Sequence, residues 1–64
     1  MIIKVSQHIY GIGKSYFIVE YDTGKRKKYT RVTKSIAQFV EDKAPEITIY
    51  VDDEIIIDFI GGKS

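Results

Sequence analysis

The sequence predicts an α+β domain: a small five-stranded antiparallel sheet, or a partly open barrel, with one helix, in the order β-β-β-α-β-β. Three observations predict it. Two apolar runs rich in Ile, Val, Tyr and Phe are separated by Gly11 and Gly13, the punctuation of strands joined by a turn. Ile36, Phe39 and Val40 recur at the i, i+3, i+4 spacing of an amphipathic helix. The last third alternates side chains on either side of Asp52-Asp53, as a second hairpin does.

The first strand reads from Met1 to Tyr10 and the second from Ser15 to Tyr21. Period two puts Phe17, Val19 and Tyr21 on one face, with Tyr16, Ile18 and Glu20 on the other. Asp22-Thr23-Gly24-Lys25 has hairpin chemistry: Asp starts the turn and Gly takes the positive φ that follows. Lys25 to Val32 is a strand by its pairing, although its lysines are poor strand formers and call for a solvated face. Thr33 can cap a helix by accepting from orphan amides. Pro45 forbids continuation and biases Ala44 away from helical geometry, so the helix runs from Lys34 to near Lys43, with Lys34, Gln38, Glu41 and Asp42 outward. In the closing hairpin Ile47, Ile49 and Val51 alternate with Thr48 and Tyr50, then Ile55, Ile57 and Phe59 with Ile56, Asp58 and Ile60. Five-stranded nucleic-acid-binding barrels and small open sheets share this element order. The loops here are short, whereas such barrels bind ligand with long ones.

The 64 residues form one domain, 1–64, with no cysteine, one histidine and a net charge of +1. A chain this small buries only about 60% of its unfolded surface, and no disulfide is available, so packing must stabilise it, alone or with a partner. Thiol chemistry and thiolate zinc sites are excluded. The longest stretch free of Lys, Arg, Asp and Glu is nine residues, Val5 to Gly13, against about 18 to 20 for a membrane-spanning helix. Met1-Ile2-Ile3-Lys4 leads directly into a strand without the pattern of a secretory signal, so the expected setting is intracellular, in the cytoplasm, with no membrane contact.

Gly11-Ile12-Gly13-Lys14-Ser15 ends like a phosphate-binding loop. The position five before the Gly-Lys pair is His8 instead of glycine, the residues that follow read as strand instead of helix, and the chain is too short for the surrounding domain. A turn between strands is the better reading, and Gly61-Gly62-Lys63-Ser64 reads as a tail. His8 shares a strand face with Ser6, but no acid stands near it in sequence to complete a relay. The expectation is therefore a non-enzymatic chain. Asp52, Asp53, Glu54 and Asp58 lack the glycine and spaced acceptors of a calcium loop and read as a charged turn plus an edge charge, so neither metal nor cofactor is expected.

Charge is distributed unevenly. Residues 1–35 hold eight Lys or Arg against two acids, net +6, and residues 36–64 hold seven acids against two lysines, net −5. Two binding hypotheses follow. In the first, the acidic half, Glu41, Asp42, Asp52, Asp53 and Glu54 with Glu46 and Asp58, docks on a basic site of a protein partner, with Tyr50 and Phe59 as anchors. Small regulators or inhibitors of nucleic-acid enzymes encoded by mobile elements, viruses among them, work this way. In the second, Lys25, Arg26, Lys27, Lys28 and Arg31 neutralise phosphates while Tyr16, Tyr21 and Tyr29 stack bases. The plain alternatives are a soluble acidic face, and a solvated hairpin whose lysines discourage edge pairing. A near-neutral chain whose acidic half repels polyanions favours the protein partner. The terminal strands are apolar on both faces: Ile55, Ile57 and Phe59 on one, Ile56 and Ile60 on the other, with Ile2, Ile3 and Val5 at the start. One helix covers one face, so a homodimer through the terminal strands is expected.

Overall fold

Gly13 (φ 67°) and Gly24 (φ 90°) occupy the left-handed region, and each closes a hairpin where the sequence places a turn. A computed structural model describes residues 1–42 and 46–61. The elements are β1 (Ile2–Gly11), β2 (Lys14–Tyr21), β3 (Arg26–Tyr29), α1 (Lys34–Asp42), β4 (Glu46–Val51) and β5 (Glu54–Ile60). The strands form one antiparallel sheet in the order β3-β2-β1-β5-β4. Among the described residues the sheet is open, with β3 and β4 as its edges. The helix end expected near Lys43, the break at Pro45 and residues 62–64 of the expected tail lie outside the described residues; Gly61, the first residue of that tail, is instead tied to β1, its N–H donating to Ile3 O at 2.9 Å.

β3 is four residues long, shorter than the stretch from Lys25 to Val32 that pairing suggested. An edge strand has one neighbour only, and Arg26, Lys27 and Lys28 add little β propensity of their own. At its loop, Gly24 N–H donates to Tyr21 O and Tyr21 N–H to Lys25 O, both at 2.9 Å. The N-terminal ammonium pairs with Asp22 at 2.9 Å.

Helix α1 starts where Thr33 caps it: the Ile36 N–H donates to Thr33 Oγ1 at 3.2 Å, relieving an orphan amide. Its stripe falls as the spacing predicts. Ile36 and Phe39 are buried with Val5, Phe17 and Val19, and Val40 packs beside them. Register shows how the sheet faces them: Val5 lies opposite Val19 and Phe59, and Gln7 opposite Phe17 and Ile57. Odd-numbered residues of β1, β2, β3 and β5 thus point to the helix, from Val5 onward in β1. A register shift between Ile2 and Lys4 brings Ile2 to the same face opposite Tyr21.

Tyr21 and Tyr29 are on this face too, packed against the core with hydroxyls 3.2 Å apart. That hydrogen bond, then burial, then the neighbouring phenolate charge hold the Tyr21 phenol above its ordinary value of 10.0. Below that value both states keep the proton; as pH rises above it the unfolded chain loses its proton first, so stability falls with rising pH. Thermal melts at about pH 9 and about pH 11 should show a smaller loss across the interval in Tyr21→Phe than in the native protein. An equal loss in both would mean that the tyrosine pair does not titrate with folding.

The β4–β5 turn is a two-residue loop with positive φ at both Asp52 (45°) and Asp53 (68°). This is the geometry that matches hairpin twist, and Asp tolerates it better than most residues because its carboxylate bonds locally.

Candidate functional site

Because α1 covers the face of Val5, Phe17 and Val19, the other face is open, and the pairing divides it into two halves. Toward β3 it is polar and aromatic, with Lys4, Ser6 and His8 of β1, Tyr16, Ile18 and Glu20 of β2, and Arg26 and Lys28 of β3. Toward β4 it is mostly apolar, with Ile56 and Ile60 of β5 beside Ile47, Ile49 and Val51 of β4, and with Glu54 and Asp58 of β5 on the same face paired to His8 and Lys4.

The polar half is already internally partnered. His8 Nδ1 is 3.0 Å from Glu54 Oε2, and the His8 ring stacks on Tyr16 at 4.7 Å with planes 8° apart. Lys28 Nζ lies 4.5 Å from the centre of the Tyr16 ring. His8 reaches Tyr16 from β1 and Lys28 from β3, the strands on either side of β2, so both flanks of the ring are occupied. Tyr10, 56% exposed, tilts against the same ring at 5.8 Å. Next to this cluster an open groove of about 440 Å³ is lined by Lys4, Ser6, His8, Ile18, Glu20, Arg26, Lys27 and Lys28.

Sequence order hides the first of these pairs. Glu54 is 46 residues from His8, and only the pairing of β1 with β5 brings them together. Ser6, on the same face of β1 two residues before His8, is buried at 8% exposure. Asp58 is a correction to the edge-charge reading. β5 lies between β1 and β4, and Asp58 is buried at 7% exposure with Lys4 Nζ 3.4 Å from its carboxylate. Removing Lys4 would strand that buried acceptor, a loss of about 1–3 kcal/mol, toward the low end because Lys4 keeps a third of its surface in water. Denaturant unfolding should therefore find Lys4→Met less stable by about 1 kcal/mol, with Asp58→Asn added to it restoring part of the loss. An unchanged midpoint in Lys4→Met would show that the pair contributes nothing net.

The candidate nucleic-acid residues do not converge. Arg26, Lys28 and Tyr16 are on the open face, while Lys27, Tyr21 and Tyr29 are on the helix face. Lys25 is in the β2–β3 loop and Arg31 beyond β3. Period two identifies which residues share a face but not which face is covered, so Tyr21 and Tyr29 read equally well as stacking platforms and as core.

The acidic residues divide likewise. Glu41 and Asp42 are exposed at the end of α1, where Gln38 donates to Asp42 at 2.8 Å. Glu46 opens β4, and Asp52 and Asp53 follow its far end; Glu54 is committed to His8. Among the described residues no cluster of three or more His, Cys, Asp or Glu is placed to hold a metal ion, and no helix is long and apolar enough to cross a membrane.

Of the two expected anchors, Phe59 packs against the core while Tyr50 is 75% exposed. The terminal strands β1 and β5 are interior, each with both flanks paired, so what they could offer a second chain is the open face of Ile56 and Ile60 and not an edge. The free apolar edge is β4. All six of its residues are exposed, including Ile47 (42%), Ile49 (41%) and Val51 (46%), and its outer side is unpaired among the described residues. The two edges differ in kind. β3 carries Arg26, Lys27 and Lys28, the charges that keep an edge from pairing, whereas Ile47 to Val51 contains neither charge nor proline.

No protein-family model, curated protein or solved structure matches the chain.

Proposed function

We propose that this domain is a non-catalytic module that binds another protein through the outer edge of β4, in a regulatory or inhibitory role. One observation carries the reading: a six-residue strand of high β propensity, exposed along its whole length, lies at a sheet edge without the lysines that guard the opposite edge. Natural sheets leave such an edge bare where something pairs with it, and strand addition is a common mode of peptide recognition. Ile47, Ile49 and Val51 would meet the partner on the open face, and Thr48 and Tyr50 on the other. Ile49→Lys tests this directly, since it places an edge charge in the middle of the strand and should abolish partner binding with the fold intact.

The basic groove of the open face favours nucleic acid as a second reading. It is the weaker one, because its aromatic residues are split between faces and Tyr16 is flanked on both sides. If nucleic acid is the ligand, replacing Lys27, Lys28 and Arg31 with Ala weakens binding to a labelled single-stranded oligonucleotide and flattens its salt dependence. Oligonucleotide binding unchanged by that triple replacement would exclude the basic hairpin as the site.

A further inference from the structure

We infer that the segment received by β4 is an extended strand of a different protein, its alternating apolar residues flanked at both ends by Lys or Arg. This rests on the reading of β4 as a protein-binding edge and specifies what the edge takes.

Charge and cover both vary along the strand. The interior, Ile47 to Val51, is uncharged, and both ends are acidic: Glu46 at one, preceded in sequence by Glu41 and Asp42, and Asp52 and Asp53 at the other. Lys43 stands between Asp42 and Glu46 in sequence, so the acids still outnumber the cation there. Six residues of strand hold the two ends about 20 Å apart, so a bound strand of similar length meets apolar side chains in its middle and carboxylates at each terminus. Opposite charges across strands stabilise pairing and like charges oppose it.

A second copy of the chain fits this badly in either direction. Antiparallel, its Glu46 end lies beside Asp52 and Asp53; parallel, Glu46 meets Glu46 and Asp52 meets Asp52. The β3 edge of another copy would supply cations, but Arg26-Lys27-Lys28-Tyr29 offers one large apolar side chain to set beside Ile47, Ile49 and Val51. A polyanion is repelled at both ends. A basic-flanked apolar strand satisfies the middle and the ends together.

Two synthetic peptides of about nine residues, an ordinary strand length, make the test: three valines alternating with threonines, flanked by Lys-Arg pairs in one and by Glu pairs in the other. Each is titrated into the full chain with backbone amide shifts and hydrogen exchange as readouts. The expected result at about 50 mM salt is binding of the basic-flanked peptide about tenfold or more tighter than the acidic one. That preference should shrink at about 500 mM salt, amide exchange should slow in β4, and binding should be lost in Ile49→Lys with an unchanged circular dichroism spectrum.

Equal affinity for both peptides would overturn the inference while leaving β4 as the site. So would failure of both peptides alongside a protein adduct from a photoreactive group at Tyr50. A native dimer by light scattering, dissolved by Ile49→Lys, would overturn it in favour of a second copy. Failure of both peptides with no adduct at Tyr50 would remove the β4 reading as well.

Discussion

Replacing Ile36 with Ala is expected to cost about 2–5 kcal/mol, the range for deleting a buried Ile side chain to its Cβ. Ile36 is 1% exposed and, among the described residues, contributes to a core of five buried hydrophobic residues, Val5, Phe17, Val19, Ile36 and Phe39. At about 0.05–0.15 kcal/mol per residue, a domain of this size has about 3–10 kcal/mol in total, so the loss is a large fraction of it. The helix touches the sheet through one short stripe, and little else is available to collapse into the vacated space. Each kcal/mol lowers the melting temperature of so small a domain by about 4–8 °C, and the variant should melt at least about 8 °C below the native protein. Ile36→Val should cost only about 0.5–1.5 kcal/mol, and Ser35→Ala, exposed on the same helix, should stay within about 0.5 kcal/mol. Denaturant and thermal unfolding read all three. Equal stability of Ile36→Ala and Ser35→Ala would mean that the helix is not seated on the sheet as described.

Ile49→Lys is expected to act on binding with little effect on stability. Ile49 is 41% exposed at the middle of the edge strand, opposite Ile56, and the methylene stem of lysine can follow the same apolar surface while its ammonium stays in water. The cost to the fold should therefore stay near the 0.5 kcal/mol scale of surface substitutions. A partner strand pairing along β4 would have to desolvate that ammonium beside its own flanking cations. Loss of a central contact of the hot-spot kind, 2 kcal/mol or more, weakens binding by at least about thirtyfold. Lys27→Glu with Lys28→Glu changes the opposite edge and should leave partner capture intact. Partner binding that survives Ile49→Lys and fails with the β3 pair would transfer the function to the basic edge.

Most of the local structure is legible in the sequence, because short-range chemistry decides it. Gly24 requires a positive φ, Thr33 supplies the cap acceptor, and Ile36, Phe39 and Val40 lie on one helix face; each needs only its neighbours to be read. The faces of β2 are legible as well, since Phe17, Val19 and Tyr21 alternate with Tyr16, Ile18 and Glu20. What alternation cannot say is which face the helix covers, and that choice sends Tyr21 and Tyr29 to the core. Strand order is invisible for a similar reason. The two terminal strands pair with each other in the middle of the sheet, which brings Glu54 to His8 and Asp58 to Lys4 and moves the exposed apolar edge to β4. An edge is a property of the assembled sheet, so the hydrophobicity of Ile47, Ile49 and Val51 alone reads as strand interior.

The central claim, that the outer edge of β4 receives a protein, is tested most directly by placing a photoreactive phenylalanine analogue at Tyr50 or at Tyr10 and irradiating the native host. Both positions are exposed aromatics, at 75% and 56%, one on the β4 edge and the other beside the basic groove. The account predicts a discrete protein adduct from Tyr50, absent when Ile49→Lys is added, and none from Tyr10. An adduct from Tyr10 with none from Tyr50, to protein or to nucleic acid, would contradict it.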